Sequence, residues 1–542
     1  MYRNLLHLFA LALLVSVFTS CGSNVKTLPV PKDAGFVLQI NSPSIASKIS
    51  WQEIKATGWF SRFYQQVSSD PSDTLLQKIM DDPSNSGINV EEEMVMFVRR
   101  RGYDGYIAFE GSIKDAAGFA GFSKKMTRET PVKEGDLNLI KDDDKVLTWN
   151  NDRFVFIGQI PFFSGMSRYD DNVRRNRLTG DSLVAFAKEL YGMKGGSSLA
   201  SDKKYATLIG EAGDMHMWVN SENLLGDMFS KMLSFTQPAK MLEGNITAAT
   251  MNFQNGKISI NARNYYNDEL AKVYEKYKMQ NIDEAALKSI PSDNVIAVFA
   301  MNYPPEGVKE FIKILGLEGV VNSFMGKIGY SVDEFIKANK GDLMVSVSDL
   351  EITEKTVTVD GYGDESYTYT TPSTDVKVLF AASIKDKSAF EKMVGVIKLN
   401  LEGLTSSNKM PEVEYSMNDK WFAAGNSKDQ IDKFLAGGTN NNAPFVSKVA
   451  GHPMAFYVDV QKILKITEAS IKDSTSGKNR SFSESAKMWE DIIAYGGELG
   501  DGYMTSVFEV NLVDKNTNSL KQLNLYFDRM ISSLRRAYPE PF

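Results

Sequence analysis

Cys21 is the only cysteine in a chain of 542 residues, and it directly follows the small residues Thr19 and Ser20. A thiolate is a good nucleophile, so a lone cysteine at this position could carry covalent chemistry. With no second cysteine there is no disulfide framework and no thiolate-ligated zinc. Other chemistry is poorly supplied. The histidines are His7, His216 and His452, none with a ligand partner at metal-binding spacing. His216 in DMHMWVN and His452 before Pro453 read as strand-edge or turn residues. The run from Asp514 starts like a calcium loop, but Ser519 and Leu525 stand where such a loop needs its glycine and glutamate. No G-x-S-x-G elbow, phosphate loop or dinucleotide fingerprint occurs. Hence no catalytic, cofactor-binding or metal-ligating residue is assigned, and no cofactor is expected. Carboxylates are abundant but unplaced, which leaves open a glycan-directed hydrolase working through a carboxyl pair.

The elements around Cys21 give it meaning. Arg3 supplies a basic start, Leu8 to Phe18 an apolar run, and Thr19-Ser20 a small-residue exit. This is the pattern of an export signal, too short for a membrane span of ~20 apolar residues. It resembles a bacterial lipoprotein signal, with Phe18 in place of the usual leucine. The resemblance implies a signal peptide over 1–20, acylation of Cys21 (diacylglyceryl plus an amide-linked chain such as palmitate), and a tether over 21–27. Two or more acyl chains hold a protein stably on a membrane. The formal charge of −7 argues against nonspecific nucleic-acid binding.

Beyond residue 27 one architecture is written twice. Pro31-Lys32-Asp33-Ala34 before GFVLQI is answered by Pro291-Ser292-Asp293-Asn294 before VIAVFAM. Helix-like stretches follow, 45–67 and 307–317. EEMVMFV (92–98) then matches GDLMVSV (341–347), and YIAFEGSIKDAAGFAGFSKKM (106–126) matches VKVLFAASIKDKSAFEKMVGV (376–396), each with Ser-Ile-Lys-Asp. NNDRFVFIG (150–158) pairs with MNDKWFAAG (417–425), DMHMWVN (214–220) with PMAFYVD (453–459), and the hairpin segment 247–268 with 505–528. The expectation is an α+β fold of two homologous tandem halves, 28–290 and 291–542, each a largely antiparallel sheet with helices over one face. Asn255-Gly256 marks a hairpin with Met251, Phe253, Ile258 and Ile260 on one buried face.

The halves differ in their insertions, and on a shared scaffold the loops carry function. The first has extra length within 160–198. The second inserts 349–374, whose alternation in VTVDGYGDESYTYT predicts a projecting hairpin. Tyr362, Tyr367 and Tyr369 on it form the candidate partner surface, since exposed tyrosines suit binding. Arg99-Arg100-Arg101 and Arg174-Arg175-Asn176-Arg177 read as solvated basic turns, and Trp51, Ile54, Trp59, Phe60 and Phe63 as a core helix face.

The leader, the Pro-Lys-Asp-Ala start and the two-half layout together resemble an uncharacterised lipoprotein family of Bacteroidetes, catalogued as domain of unknown function 4836. The resemblance implies an envelope lipoprotein with no known catalytic residues. In that phylum, surface-displayed lipoproteins often carry acids just after the lipidated cysteine. Gly22-Ser23-Asn24-Val25-Lys26 has none, so an outer-membrane anchor facing the periplasm is expected. The expected role is non-enzymatic binding or scaffolding of a protein or glycan partner. A hydrolase and a purely structural envelope component are the alternatives.

Overall fold

The computed structural model describes residues 28–67, 74–101, 104–161, 178–225, 241–360, 366–404, 413–471 and 477–537. Cys21, Tyr362 and the basic run 174–177 lie outside them. The chain divides into two compact units. Leu242–Tyr265 and Thr517–Asp528 belong with the N-terminal part of the chain in the first unit, and Tyr266–Asn516 forms the body of the second. These units are a different division from the halves 28–290 and 291–542. Residues 280–290 are tied into the second unit: Ile282 N–H donates to His452 O at 2.9 Å and Asn441 Nδ2 to Ile290 O at 3.3 Å. Residues 518–528 are tied into the first, where Trp59 donates its Nε1–H to Asn524 Oδ1 at 2.9 Å and its backbone N–H to Asp528 Oδ1 at 2.7 Å.

In the first unit the strands are β1 (Phe36–Ile40), β2 (Met94–Arg101), β3 (Asp104–Ser112), β4 (Val132–Glu134), β5 (Leu137–Lys141), β6 (Lys145–Trp149), β7 (Arg153–Pro161), β8 (Met215–Asn220), β9 (Ile246–Gln254) and β10 (Lys257–Tyr265). They pair antiparallel in the spatial order β4-β5-β6-β7-β3-β2-β1-β8-β9-β10. In the second unit they are β11 (Val295–Asn302), β12 (Asn339–Asp360), β13 (Ser366–Ile384), β14 (Glu414–Met417), β15 (Trp421–Gly425), β16 (Met454–Val458), β17 (Trp489–Gly500) and β18 (Tyr503–Leu512). Their antiparallel order is β14-β15-β13-β12-β11-β16-β17-β18. The fold is α+β.

Helices lie on both faces of each sheet, not on one. In the first unit Val37, Phe97, Tyr106 and Trp218 pack under the helices Gly180–Tyr191 and Lys203–Ile209 through Leu183, Ala187, Tyr205 and Leu208. On the opposite face Met94 and Phe154 pack against Trp51, Ile54, Phe60, Ile79 and Phe119. The second unit likewise has one core around Val298, Leu379, Phe434 and Phe445 and another around Ala382, Ile384 and Phe390. The physical reason is legible in MVMFV and VIAVFAM. Continuous apolar runs suit strands with apolar neighbours on both sides, although the second face of β11, at Ala297, Phe299 and Met301, is only half-buried.

Three local expectations are corrected. The segment 505–528 is not a hairpin; β18 ends at Leu512 and Ser519–Ala537 is a helix. Its apolar residues Leu520, Leu523, Met530 and Leu534 recur at helical rather than strand spacing. The closing hairpin is instead β17–β18. The Asn255-Gly256 hairpin forms with Gly256 at φ +68°, and Ile258 faces Phe253 across the ladder. Its faces are not cleanly split, because Ser259 is buried while Met251, Ile258 and Ile260 are only half-buried. Finally, Arg99–Arg101 is not a solvated turn but the end of β2. Arg99 is buried, with Nε 2.7 Å from Asp33 Oδ1 and Nη1 donating to Glu189 Oε1 at 3.0 Å and to Tyr106 Oη at 3.3 Å. Burial alone would lower its pKa, but Tyr106, Asp33 and Glu189 more than offset that and hold it above the usual arginine value.

Candidate functional site

The projecting hairpin exists. β12 and β13 stay in register from Glu351↔Asp375 to Asp360↔Ser366, past the last rungs to β11 at Ser348 and to β15 at Leu379. Among the described residues no other strand pairs with 351–360 or 366–375, so this ribbon has two open edges. Tyr369 is 53 % exposed opposite Val357, and Val359 is 48 % exposed. The register sets Tyr367 opposite Val359. Of the three tyrosines, then, Tyr367 and Tyr369 lie on this ribbon. Thr358 and Thr368 hydroxyls meet across it at 3.3 Å. Between Glu351 and Asp375 the sequence holds six acids and one lysine.

A second site was not foreseen. On the inner face of the first unit a polar row crosses the sheet. Glu110, Val95, Gln39, His216 and Thr250 are successive partners from β3 through β2, β1 and β8 to β9. All five are buried. Gln39 donates its Nε2–H to Glu93 Oε2 and accepts the Tyr205 hydroxyl at 3.2 Å. His216 Nε2 lies 3.1 Å from Glu211 O, and Thr250 donates to Glu211 Oε2 at 2.9 Å. His216 is therefore no strand-edge residue, since β8 is paired on both sides; burial pushes its pKa down. Burial pushes the Glu93 carboxyl up, partly countered by Gln39.

Glu110 is the extreme member. It is fully buried, and among the described residues neither carboxyl oxygen has a hydrogen-bond partner. Burial pushes its pKa up to about 8, with Arg153 acting the other way. At neutral pH the group is held as the neutral acid. Arg153 Nη1 lies 3.9 Å from Glu110 Oε2. Its Nη2–H donates to Leu190 O at 2.8 Å, and its guanidinium stacks 4.5 Å over the Tyr191 ring. Tyr191 in turn donates its hydroxyl to Thr148 O at 3.0 Å.

Local sequence places these groups. Asn150 Oδ1 accepts the backbone N–H groups of Asp152 and Arg153, each at 2.9 Å, a side-chain-closed turn that starts β7 at Arg153. Thr179 caps the helix Gly180–Tyr191, which brings Lys188, Leu190 and Tyr191 over that turn. Gly180 lets the helix approach, because a Cβ there would lie 2.6 Å from Asp142 O. Arg153 and Tyr191 then line a pocket of ≈ 680 Å³, with Lys188, Glu134, Asp136 and Asp152. Lys188 Nζ and Glu134 Oε1 pair at 2.9 Å.

The second unit has the same frame without this chemistry. Ile113 N–H donates to Asp152 O at 2.7 Å, and Ile384 N–H to Lys420 O at 2.8 Å. Asn418 Oδ1 closes its turn on Lys420 and Trp421 as Asn150 does on Asp152 and Arg153. Arg153 therefore corresponds to Trp421, one residue away from the match drawn between NNDRFVFIG and MNDKWFAAG. Glu110, Gln39 and His216 correspond to Ala381, Ala300 and Ala455, all buried. Trp421 packs edge-on against Phe434 at 5.7 Å.

Residues 27–520 match one family model. The chain belongs to the family described as Domain of unknown function (DUF4836). No curated protein matches this DUF4836 chain. A solved structure, that of crystal form I of TP0453, matches over 45% of this chain and 81% of that one, at 11% identity and a TM-score of 0.19.

The second unit has its own histidine pocket of ≈ 490 Å³. His452 Nδ1 lies 2.9 Å from Glu498 Oε1 and its ring stacks on Tyr495 at 4.0 Å. Among the described residues no group of three or more His, Cys, Asp or Glu could hold a metal ion, and no helix is long and apolar enough to cross a membrane. One sequence signal could have exposed the polar site of the first unit: Glu110 is the lone charge in YIAFEGS, where VLFAASI has Ala381.

Proposed function

We propose that this chain is a cell-envelope lipoprotein, anchored through acylated Cys21 in the outer membrane and facing the periplasm, that captures a protein partner without catalysis. The halves 28–290 and 291–542 are read as products of one duplication, supported by the common strand order and the Asn150 and Asn418 turns. The observation that carries the binding role is the β12–β13 ribbon with two open edges. Native proteins usually cover or blunt such edges, and a two-stranded ribbon alone is marginal in water. Its partner is an extended polypeptide segment that adds a strand, with tyrosine and valine contacts selecting side chains. The acids of 351–375 select a basic segment and disfavour a second copy of this acidic chain.

A C-terminally tagged chain, crosslinked in cells, should retain one stoichiometric partner. Deletion of 352–372 should remove it, and salt should weaken it. Retention after the deletion would overturn the assignment. Intact-mass analysis of the same sample reads acylation at Cys21. A glycan hydrolase is less well supported. It needs a protonated carboxyl beside the scissile bond, and Glu110, held protonated, is fully buried away from any substrate.

A further inference from the structure

The pocket under Arg153 carries a cation held by a backbone carbonyl and an aromatic ring. Arg153 is held by the Leu190 carbonyl and the Tyr191 ring, and its side chain is 17% exposed. Behind it Glu110 faces it across 3.9 Å, with no hydrogen bond to either oxygen among the described residues. Lys188 is occupied by Glu134. Asp136 and Asp152 stand exposed in the same wall. The corresponding place in the second unit is closed with Ala381 and Trp421, so the frame does not require these polar groups.

We infer that this pocket is a binding site for a small zwitterion, whose anionic oxygens meet the Arg153 guanidinium and whose ammonium meets Asp136 and Asp152. A guanidinium presents a planar fork to phosphate or carboxylate oxygens. A volume of ≈ 680 Å³ falls in the range of small-molecule sites. The three pocket acids against two cations disfavour a bare anion and favour one that brings its own positive charge. Leu28 and Pro29 also line this pocket. On the proposed anchor at Cys21 seven residue steps separate Leu28 from the lipid, at most about 25 Å of chain. A membrane headgroup and a free metabolite therefore present the same chemistry here, and the experiment separates them.

Isothermal titration of the full chain should compare O-phosphoethanolamine and β-alanine with glycerol 3-phosphate, which lacks the ammonium, and ethanolamine, which lacks the anion. The expected result is that one zwitterion binds at least about tenfold tighter than either half-ligand. Arg153→Gln should weaken it by at least about tenfold. Asp136→Asn with Asp152→Asn, both on the exposed rim, should erase the preference for the zwitterion over glycerol 3-phosphate and keeps the test valid if Arg153→Gln misfolds. Of the groups facing Glu110, Arg153 on β7 and Tyr191 on the helix are the charged or titratable ones. Ionisation of Glu110 above pH 8 should compete for Arg153 and weaken binding, and Glu110→Gln should abolish that fall. To separate the sources, Cys21→Ala protein is mixed with phosphatidylethanolamine vesicles. Co-sedimentation blocked by O-phosphoethanolamine assigns the headgroup, and its absence alongside soluble binding assigns a free ligand. Equal affinity for glycerol 3-phosphate, or no zwitterion binding at millimolar concentration, overturns the inference.

Discussion

The same face of the same strand order is finished in two ways. In the second unit Ala381, Met344, Ala300 and Ala455 form an apolar row in one core with Trp421, Phe434 and Phe445. In the first, Gln39, Glu110 and His216 take those places and Arg153 replaces the tryptophan. Buried polar groups are costly unless fully bonded, and the two units show that the frame closes without them. The first unit has thus accepted a cost the second avoids. Gln39, His216 and Thr250 recover part of it through Tyr205 and Glu211. Glu110 does not, which makes it the place to probe.

Four experiments break or sharpen this contrast. The largest effect is expected from pH. The Glu110 carboxyl titrates near 4.5 when unfolded and near 8 when folded. Stability from keeping it neutral is therefore full below pH 4.5 and declines as pH rises toward 8. The decline is on the order of 5 kcal/mol across that window. Urea unfolding of the wild type against Glu110→Gln should show the variant gaining as pH rises; parallel curves would mean Glu110 is not held neutral. Next, Ala381→Glu should destabilise the chain by about 3–5 kcal/mol, because Trp421 offers no cation there. A small change in the denaturation midpoint would show that the second unit tolerates the same chemistry. Tyr205→Phe leaves Gln39 Oε1 without its donor and should cost about 1–2 kcal/mol in the same assay. The smallest effect belongs to deletion of 352–372, expected within about 0.5 kcal/mol because nothing but the ribbon itself is lost. A large drop in melting temperature would make the ribbon part of the fold rather than a docking edge.

Much of the frame was legible. The matched runs around the two Ser-Ile-Lys-Asp segments located β2, β3, β12 and β13, because apolar runs bounded by turn residues are local signals. The alternation in 357–370 gave the ribbon, and Trp51, Ile54 and Phe60 are core residues, though on two helices, Trp51–Lys55 and Gly58–Val67, rather than one continuous face. Misreadings arose where a local pattern was degenerate. SLKQLNLYFD alternates well enough to pass for a strand over a few residues, and only its continuation to Leu534 shows the helical period. The one-residue slip at Arg153 and Trp421 arose because Asn-Asp occurs in both segments, while the structural turn is closed by Asn150 rather than Asn151.

The chain's own order of residues determined the apolar N-terminal run before its single cysteine, most of the strands and helices, and the acidic hairpin. Each depends on neighbours within a few residues. The polar row and its pocket depend on groups far apart in sequence, with Gln39, Glu110, Arg153, Tyr191 and His216 brought together only when β1, β3, β7 and β8 take their places and the helix Gly180–Tyr191 closes over them. Whether a glutamate is a solvated anion or a buried neutral acid is decided by what surrounds it. For Glu110 burial decides it, against the opposing pull of an arginine 43 positions along the chain, held 3.9 Å away.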